Sequence, residues 1–273
     1  MKTRIIAAAV LLPILLLILL WLPEIVAAIV ISLLLALAVY EMLYRTRLVR
    51  STRLVIYSAV MAASLGIWSF LGAIEAYGQL LLLLFCIALF SEMMRNHVKI
   101  RFETIAMCFV AGAIVPYMLS ALLRILMMHN GRHLIMIPFI ISFLSDAGAY
   151  FAGLKFGRHK LAPVVSPNKT LEGVLGGLIA SVLGMLIYAL IMQLAMNYRV
   201  NYALAILYGV AGCLAGVFGD LCFSIIKRQA GIKDYGNLIP GHGGILDRVD
   251  SLMTVAPLIE SLILLLPLGE VIW

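Results

Sequence analysis

Nine long apolar runs, separated by short polar segments, set the pattern of this chain. Each run approaches the roughly 20 residues that a helix needs to cross the hydrocarbon of a membrane. The runs are continuous and do not alternate, which favours helices over the strands of a membrane barrel. The predicted fold is therefore all-α, a polytopic transmembrane helical bundle of about nine spans. The predicted helices cover residues 5–22, 24–44, 54–74, 78–94, 103–124, 134–154, 171–195, 202–227 and 249–270.

The composition excludes an ordinary soluble protein. Of the 273 residues, 64% are hydrophobic and 12% are charged, whereas a soluble domain is about half apolar and a quarter charged. We expect a single integral membrane domain over residues 1–273, with N-terminal helices in 1–130 and candidate catalytic helices and cytoplasmic loops in 134–270. The first run resembles a signal peptide, but its length and the lack of a small-x-small site before Pro23 predict a retained helix.

The basic residues indicate how the chain is oriented in a membrane. If the nine predicted helices alternate in direction, 17 of the 20 Lys and Arg residues fall on one side, and only Arg124, Arg132 and Arg199 fall on the other. Positive residues concentrate on the cytoplasmic side, so we expect a cytoplasmic N-terminus and an outside C-terminus. The same rule explains the net charge of +7 without a nucleic-acid partner.

Cysteine and histidine positions argue against a metal site built from these side chains. All four cysteines lie within apolar runs and none has a CxxC spacing, which predicts small buried side chains without disulfides. Four histidines are scattered among predicted loops, too far apart in sequence to suggest a shared site. These residues are Cys86, Cys108, Cys213, Cys222, His97, His129, His133 and His159.

Several isolated acids have simpler explanations than chemistry. Glu41 with Arg45, and Glu92 with Arg95, are spaced as ion pairs at helix ends. Glu260 lies in the middle of a predicted span, where it must pair or protonate, and we have no functional explanation for it.

The most informative stretch is residues 224–250, SIIKRQAGIKDYGNLIPGHGGILDRVD, because it places many charges beside an apolar helix. In the preceding helix Asp220 and Ser224 are four residues apart, and Lys227 and Arg228 follow, so all four form one polar stripe toward the cytoplasmic end. Two interpretations of Asp220 remain open: a structural ion pair, or a ligand for a divalent cation. The helix also carries four glycines on one face, Gly209, Gly212, Gly216 and Gly219, which predicts close helix packing.

The glycine-rich loop that follows can fold back and bring Asp247 near Asp220. Two carboxylates, completed by substrate phosphates and waters, suit Mg²⁺. Backbone N–H groups at Gly243 and Gly244 are free to face phosphate oxygens. The loop is not a P-loop, since it lacks GxxxxGK[ST].

Two upstream blocks add candidate residues. The block SDAGAYFAG, residues 145–153, places Asp146 near the cytoplasmic end of a span. The block SPNKTLEG, residues 166–173, offers Lys169 for phosphate, while Thr170 and Glu172 are explained by capping of the next helix.

Together these blocks, over residues 145–252, resemble the phosphatidate cytidylyltransferase (CDP-diacylglycerol synthase) family. The resemblance rests on a Ser-x-x-Lys-Arg element followed by Lys-Asp, His-Gly-Gly and Asp-Arg-x-Asp. It implies transfer of a cytidylyl group from CTP to phosphatidate in phospholipid biosynthesis, with Mg²⁺ and a second, monovalent cation such as K⁺. It also implies a homodimer in the bacterial inner membrane, with the active site facing the cytoplasm.

The resemblance assigns roles to particular residues. The metal ligands are Asp220 and Asp247. The expected catalytic residues are Asp220, Asp247, Lys227, Arg228 and Arg248. The expected substrate-binding residues are Lys169, Ser224, Lys233, His242, Gly243, Gly244, Asp250 and Asp146. The chain departs from the family pattern at Asn168, where a lysine is common, and at Phe223, where an acid is common.

Two other function classes remain. A CTP-dependent lipid kinase would transfer the γ-phosphoryl group, and a transporter of anionic lipid or nucleotide would use its intramembrane acids without chemistry. Transporters often show inverted repeats and broken helices, and neither is evident here. CDP-alcohol phosphotransferases are excluded because their DG-x-x-A-R block is absent.

Overall fold

The computed structural model describes residues 13–196, 198–238 and 243–271. Within these ranges the chain is built mainly of helices, which confirms the all-α class. Residues 13–20 form α1. The helices of the first half that follow are α2 (Glu24–Tyr40), α3 (Thr52–Phe70), α4 (Ile74–Arg95), α5 (Phe102–Phe109), α6 (Val115–Leu119), α7 (Ala121–Leu126) and α8 (Gly131–Leu134).

Two π-helical turns interrupt this half, at Glu41–Arg45 after α2 and at Val110–Ile114 between α5 and α6. The second half contains α9 (Met136–Phe156), α10 (Leu171–Met196), α11 (Tyr202–Gln229), α12 (Leu246–Val249) and α13 (Leu252–Leu265).

Among the described residues, four short strands, which the hydrophobic pattern did not predict, form one hairpin and one pair of strands that are distant in sequence. Strand β1 (Lys160–Ala162) pairs antiparallel with β2 (Ser166–Thr170), and β3 (Tyr198–Val200) pairs antiparallel with β4 (Gly269–Val271). The β1–β2 hairpin occupies a segment predicted as a cytoplasmic loop. These strands are too short for their sequences to show a period of two.

Seven helices among the described residues are long and apolar enough to cross a membrane, so the chain is an integral membrane protein. They are Glu24–Arg45, Thr52–Phe70, Ile74–Arg95, Phe102–Leu126, Gly131–Phe156, Leu171–Ala195 and Tyr202–Gln229. They match the second to eighth predicted spans. Residues 5–12 of the first predicted span lie outside the described residues, and residues 13–20 of it are helical.

The segment predicted as the ninth span, 249–270, differs from expectation. It contains α12, the 14-residue helix α13 and then β4. At 1.5 Å per residue, α13 is about 21 Å long, shorter than the roughly 30 Å of hydrocarbon. Nine spans and the orientation of the termini stay predictions.

The chain divides into two compact units. Unit 1 comprises Met1–His133 and Lys227–Val249, and unit 2 comprises Leu134–Ile226 and Asp250–Trp273. The glycine-rich segment after α11 therefore associates with the N-terminal helices, although its sequence neighbours belong to unit 2.

Small residues allow close helix packing inside unit 1. A Cβ on Gly112 would lie 2.9 Å from the Cα of Ser58, and a Cβ on Gly66 would lie 3.1 Å from the Cα of Ser32. Both serines are buried on facing helices. Such contacts bring helix backbones together in membranes, where apolar burial alone does not drive association.

In unit 2 the four glycines of α11 allow close packing, as predicted, but they lie against three different helices. Gly209 meets Val182 of α10 and Gly212 meets Ile141 of α9, whereas Gly216 and Gly219 meet Val255 and Thr254 of α13. Gly219 directly precedes Asp220, so α13 packs against α11 one residue before that aspartate.

Candidate functional site

In unit 1, the end of α11 and the start of α12 are joined by an ion pair. The Nζ of Lys227 donates to Oδ1 of Asp247 at 3.0 Å, and the two side chains are 11% and 2% exposed. Lys227 Nζ also lies 5.4 Å from the centre of the buried Tyr235 ring. Since separate burial of either charge would be costly, the pair holds the two elements together.

The other oxygen of Asp247 organises the loop. Oδ2 accepts the backbone N–H of Tyr235 at 2.8 Å and that of Gly244 at 2.9 Å. Gly243 has φ +83°, and a Cβ there would lie 2.9 Å from the same oxygen. Glycine is therefore required at 243 both for backbone conformation and for space. The N–H of Gly244, predicted to face phosphate, is directed at Asp247.

Glu41 also belongs to this cluster, which sequence reasoning missed. Its Oε2 accepts the backbone N–H of Leu246 at 2.9 Å, and the residue is only 1% exposed. Its expected partner, Arg45, donates a hydrogen bond to the side chain of Asn237 in the same loop. No local signal distinguishes Glu41 from an acid at a helix end, because the bonded positions are 205 residues apart.

In unit 2, Asp220 lies at a second cluster. Its Oδ2 forms an ion pair with Nζ of Lys169, and its Oδ1 accepts the hydroxyl of Ser224 at 3.3 Å. The Asp220 and Lys169 side chains are 25% and 24% exposed. The predicted stripe is thus confirmed for Asp220 and Ser224, and β2 supplies the cation.

The start of α10 is capped as predicted. Oγ1 of Thr170 accepts the N–H of Gly173 at 3.1 Å. The carboxylate of Glu172 accepts the backbone N–H groups of Arg158 and His159 and contacts Nδ1 of His159 at 2.6 Å. These bonds tie the β1–β2 hairpin to the helix and place Lys169 next to the cap.

The remaining predicted residues occupy varied surroundings. Arg228, Lys233 and Arg248 are exposed in unit 1, where Arg228 donates to the carbonyl of Ile232 at 3.2 Å. In unit 2, Asp146 is exposed on α9, whereas Asp250 is 9% exposed and accepts the N–H of Ser251 at 2.9 Å. His242 lies outside the described residues.

The donor chemistry suits Mg²⁺ only if the ion also binds substrate oxygens. Among the residues that the structure describes, no group of three or more His, Cys, Asp or Glu is close enough to hold a metal. Asp220 presents a partly exposed carboxylate, while Asp247 has one oxygen that accepts two N–H groups and a second that pairs with Lys227. One or two carboxylates with phosphates and waters is an ordinary shell for Mg²⁺.

Comparison with known proteins gives one consistent result. A family described as "Cytidylyltransferase family" matches residues 2–266. A phosphatidate cytidylyltransferase of Haemophilus influenzae is 36% identical over 155 residues, covering 55% of this chain and 54% of that protein. Proteins of the same name from Staphylococcus haemolyticus and Staphylococcus aureus are each 39% identical over 135 residues, half of either chain. The chain thus matches about half the length of these curated relatives.

Proposed function

Because the chain belongs to the cytidylyltransferase family, we propose that it transfers a cytidylyl group from CTP to phosphatidate, releasing pyrophosphate. The relatives' printed name supports this choice of substrate. The observation that carries the proposal is the loop folded around Asp247, which holds Lys227 beside exposed arginines at the end of an apolar helix. Cations at such a position suit two phosphate-bearing substrates, one of them a lipid.

The reaction needs no protein nucleophile. A phosphate oxygen of phosphatidate attacks the α-phosphorus of CTP and forms a new P–O bond. The bond from the α-phosphorus to the oxygen bridging the α- and β-phosphorus atoms breaks, and its electron pair leaves with pyrophosphate. A phosphomonoester has a second pKa near 6 and is largely ionised at neutral pH, so the protein does not have to remove a proton.

The main obstacle is repulsion between two polyanions. Lys169, Lys227, Arg228 and Arg248 would offset this charge as it develops on the leaving group. Lys169 and Lys227 each pair with an aspartate in the structure. We propose that each lysine exchanges its carboxylate for a phosphate when substrate binds, which would also release the aspartate oxygens.

Asp220 and Asp247 would serve as the Mg²⁺ ligands, as the resemblance to the family implies. When bound, the ion would neutralise charge on the triphosphate and stabilise the departing pyrophosphate. Ser224 orients Asp220 by its hydrogen bond, and Tyr235 and Gly244 orient Asp247 by theirs. A second, monovalent cation such as K⁺ remains part of the proposal.

The proposed setting is the bacterial inner membrane, with the substrate-binding loops facing the cytoplasm, where CTP is available. The positive-inside distribution supports this orientation. We also propose a homodimer with no nucleic-acid partner.

A label-transfer assay tests the function. Purified protein in mixed micelles would receive phosphatidate, Mg²⁺ and CTP labelled at either the α- or the γ-phosphorus. We expect the α-label, and not the γ-label, in the lipid product. Transfer of the γ-label would instead identify a lipid kinase. Flux of nucleotide or lipid across vesicles without pyrophosphate release would identify a transporter.

A further inference from the structure

Glu41 is a buried acid that the mechanism above does not use. It belongs to unit 1, in the π-helical turn that follows α2, and its side chain reaches the backbone of the loop around Asp247. Glu41 is 1% exposed, and a buried carboxylate requires compensating hydrogen bonds because it loses its contacts with water.

Glu41 contacts the loop at two places in its sequence, at Gly236 and at Gly244–Leu246. Oε2 accepts the N–H of Leu246, the residue before Asp247. A Cβ on Gly244 would collide with both carboxylate oxygens and with Cδ, and a Cβ on Gly236 would lie 2.8 Å from Cδ. Both glycines therefore leave space that the Glu41 carboxylate fills. Among the described residues, Oε1 has no hydrogen-bond partner.

These contacts converge on the backbone groups that hold Asp247. Gly244 donates its own N–H to Oδ2 of Asp247, while its Cα packs on Glu41. Leu246 is the first residue of α12, so its bond to Glu41 sets where that helix begins. Loss of the carboxylate would let the loop shift and would loosen the N–H groups around Asp247.

We propose that Glu41 is a positioning residue for the cytidylyl transfer, acting through the loop that orients Asp247. This inference rests on the proposed function, yet it assigns a role to the N-terminal half, where the sequence blocks carry none. Partners that orient a metal ligand typically change activity or metal affinity roughly 10–100-fold when removed.

The first test compares Glu41→Ala, Glu41→Gln and the wild type by hydrogen exchange without substrate. In Glu41→Ala we expect the amides of Gly244 and Leu246 to exchange about fivefold faster, the factor for one lost hydrogen bond. Glu41→Gln keeps an oxygen acceptor and nearly the same volume, so its exchange should stay near that of the wild type. Unchanged exchange in Glu41→Ala would overturn the proposal.

Glu92 supplies the matched control. It is another acid of unit 1, 4% exposed, with ion pairs to Arg53 at 3.3 Å and Arg95 at 3.9 Å. Glu92→Ala should lower the melting temperature without changing exchange at Gly244 or the Mg²⁺ concentration for half-maximal activity. Glu41→Ala should raise that Mg²⁺ concentration or lower kcat, roughly 10–100-fold. Equal effects of the two substitutions would show a merely structural role.

A double-mutant cycle tests the contact between Glu41 and Gly244 directly, and Glu41→Asp, which withdraws the carboxylate by one methylene, takes the place of Glu41→Ala if that variant folds poorly. Gly244→Ala should lower activity in the wild type, because its methyl group meets the carboxylate, and should cost much less in the Glu41→Ala background, where that space is open. Additive losses would contradict the contact. Absence of label transfer by the wild type would reject the proposed function alone, since the exchange measurements use no substrate.

Discussion

Two aspartates of the same predicted role have different surroundings. Asp247 is nearly inaccessible and accepts three hydrogen bonds, from Lys227, Tyr235 and Gly244. Asp220 is a quarter exposed, with Lys169 and Ser224 as its partners. The sequence assigns both to metal binding, but the structure adds that Asp247 also supports its loop.

Substitution of either aspartate by alanine should therefore lower activity, but only the substitution at Asp247 should also lower stability strongly. We expect both Asp220→Ala and Asp247→Ala to lower pyrophosphate release by about two to three orders of magnitude. Asp247→Ala should also lower the free energy of unfolding by about 3–5 kcal/mol, because it leaves Lys227 buried without its carboxylate. Asp220→Ala should cost less than about 1 kcal/mol, as expected for a partly exposed pair. Activity assays and thermal unfolding in detergent give both quantities.

The control for this comparison is Lys227→Met in the Asp247→Ala background. Removing the cation that has lost this carboxylate should recover part of the lost stability while activity stays low. If Asp247→Ala is as stable as the wild type, the buried ion pair does not hold the loop.

At the scale of elements, the helix α11, which carries Asp220 and Lys227, packs against its neighbours through glycines. Gly209 lies so close to α10 that a Cβ would be 2.8 Å from the Cα of Val182, whereas a Cβ on Gly216 would be 3.3 Å from a side-chain methyl group of Val255. Backbone atoms cannot move aside cheaply, but a valine side chain can yield by a few tenths of an ångström.

Alanine at these two glycines should have unequal effects. Gly209→Ala should destabilise the protein by about 1–3 kcal/mol, the usual cost of overpacking. Gly216→Ala should be nearly neutral. Melting temperatures of the two variants in the same detergent provide the measurement, and a loss at Gly216 equal to that at Gly209 would contradict the packing described for α11.

Sequence and structure agree most closely where the signal is local. Apolar runs predicted seven of the described helices, and the i, i+4 spacing predicted the contact between Asp220 and Ser224. The four strands escaped prediction because each has only three to five residues. The role of Glu41 escaped prediction for another reason: its hydrogen bond joins distant parts of the chain, and no pattern in the residues around Glu41 encodes that contact.

At the scale of the whole molecule, orientation in the membrane can be tested across one helix. The β1–β2 turn and β3 flank α10, whose 26 residues span about 39 Å at 1.5 Å per residue. Val164 in that turn is 89% exposed, and Arg199 of β3 is exposed. We expect a single cysteine at 164 to react with a membrane-impermeant thiol reagent only from the cytoplasmic side, and one at 199 only from the outside.

This labelling requires a background in which the four native cysteines are replaced, and lysed cells as a control for reactivity. Reaction of both positions from the same side would show that α10 does not cross the membrane between them. Reaction of each from the opposite side to that expected would reverse the proposed orientation.

The most direct measurement of the central proposal is pyrophosphate release by the purified protein, with each component omitted in turn. With CTP, phosphatidate and Mg²⁺ together, we predict one pyrophosphate released for each CDP-diacylglycerol formed. Omission of any one component should abolish release. Pyrophosphate release that continues without phosphatidate, or no release from the complete mixture, would contradict cytidylyl transfer to this lipid.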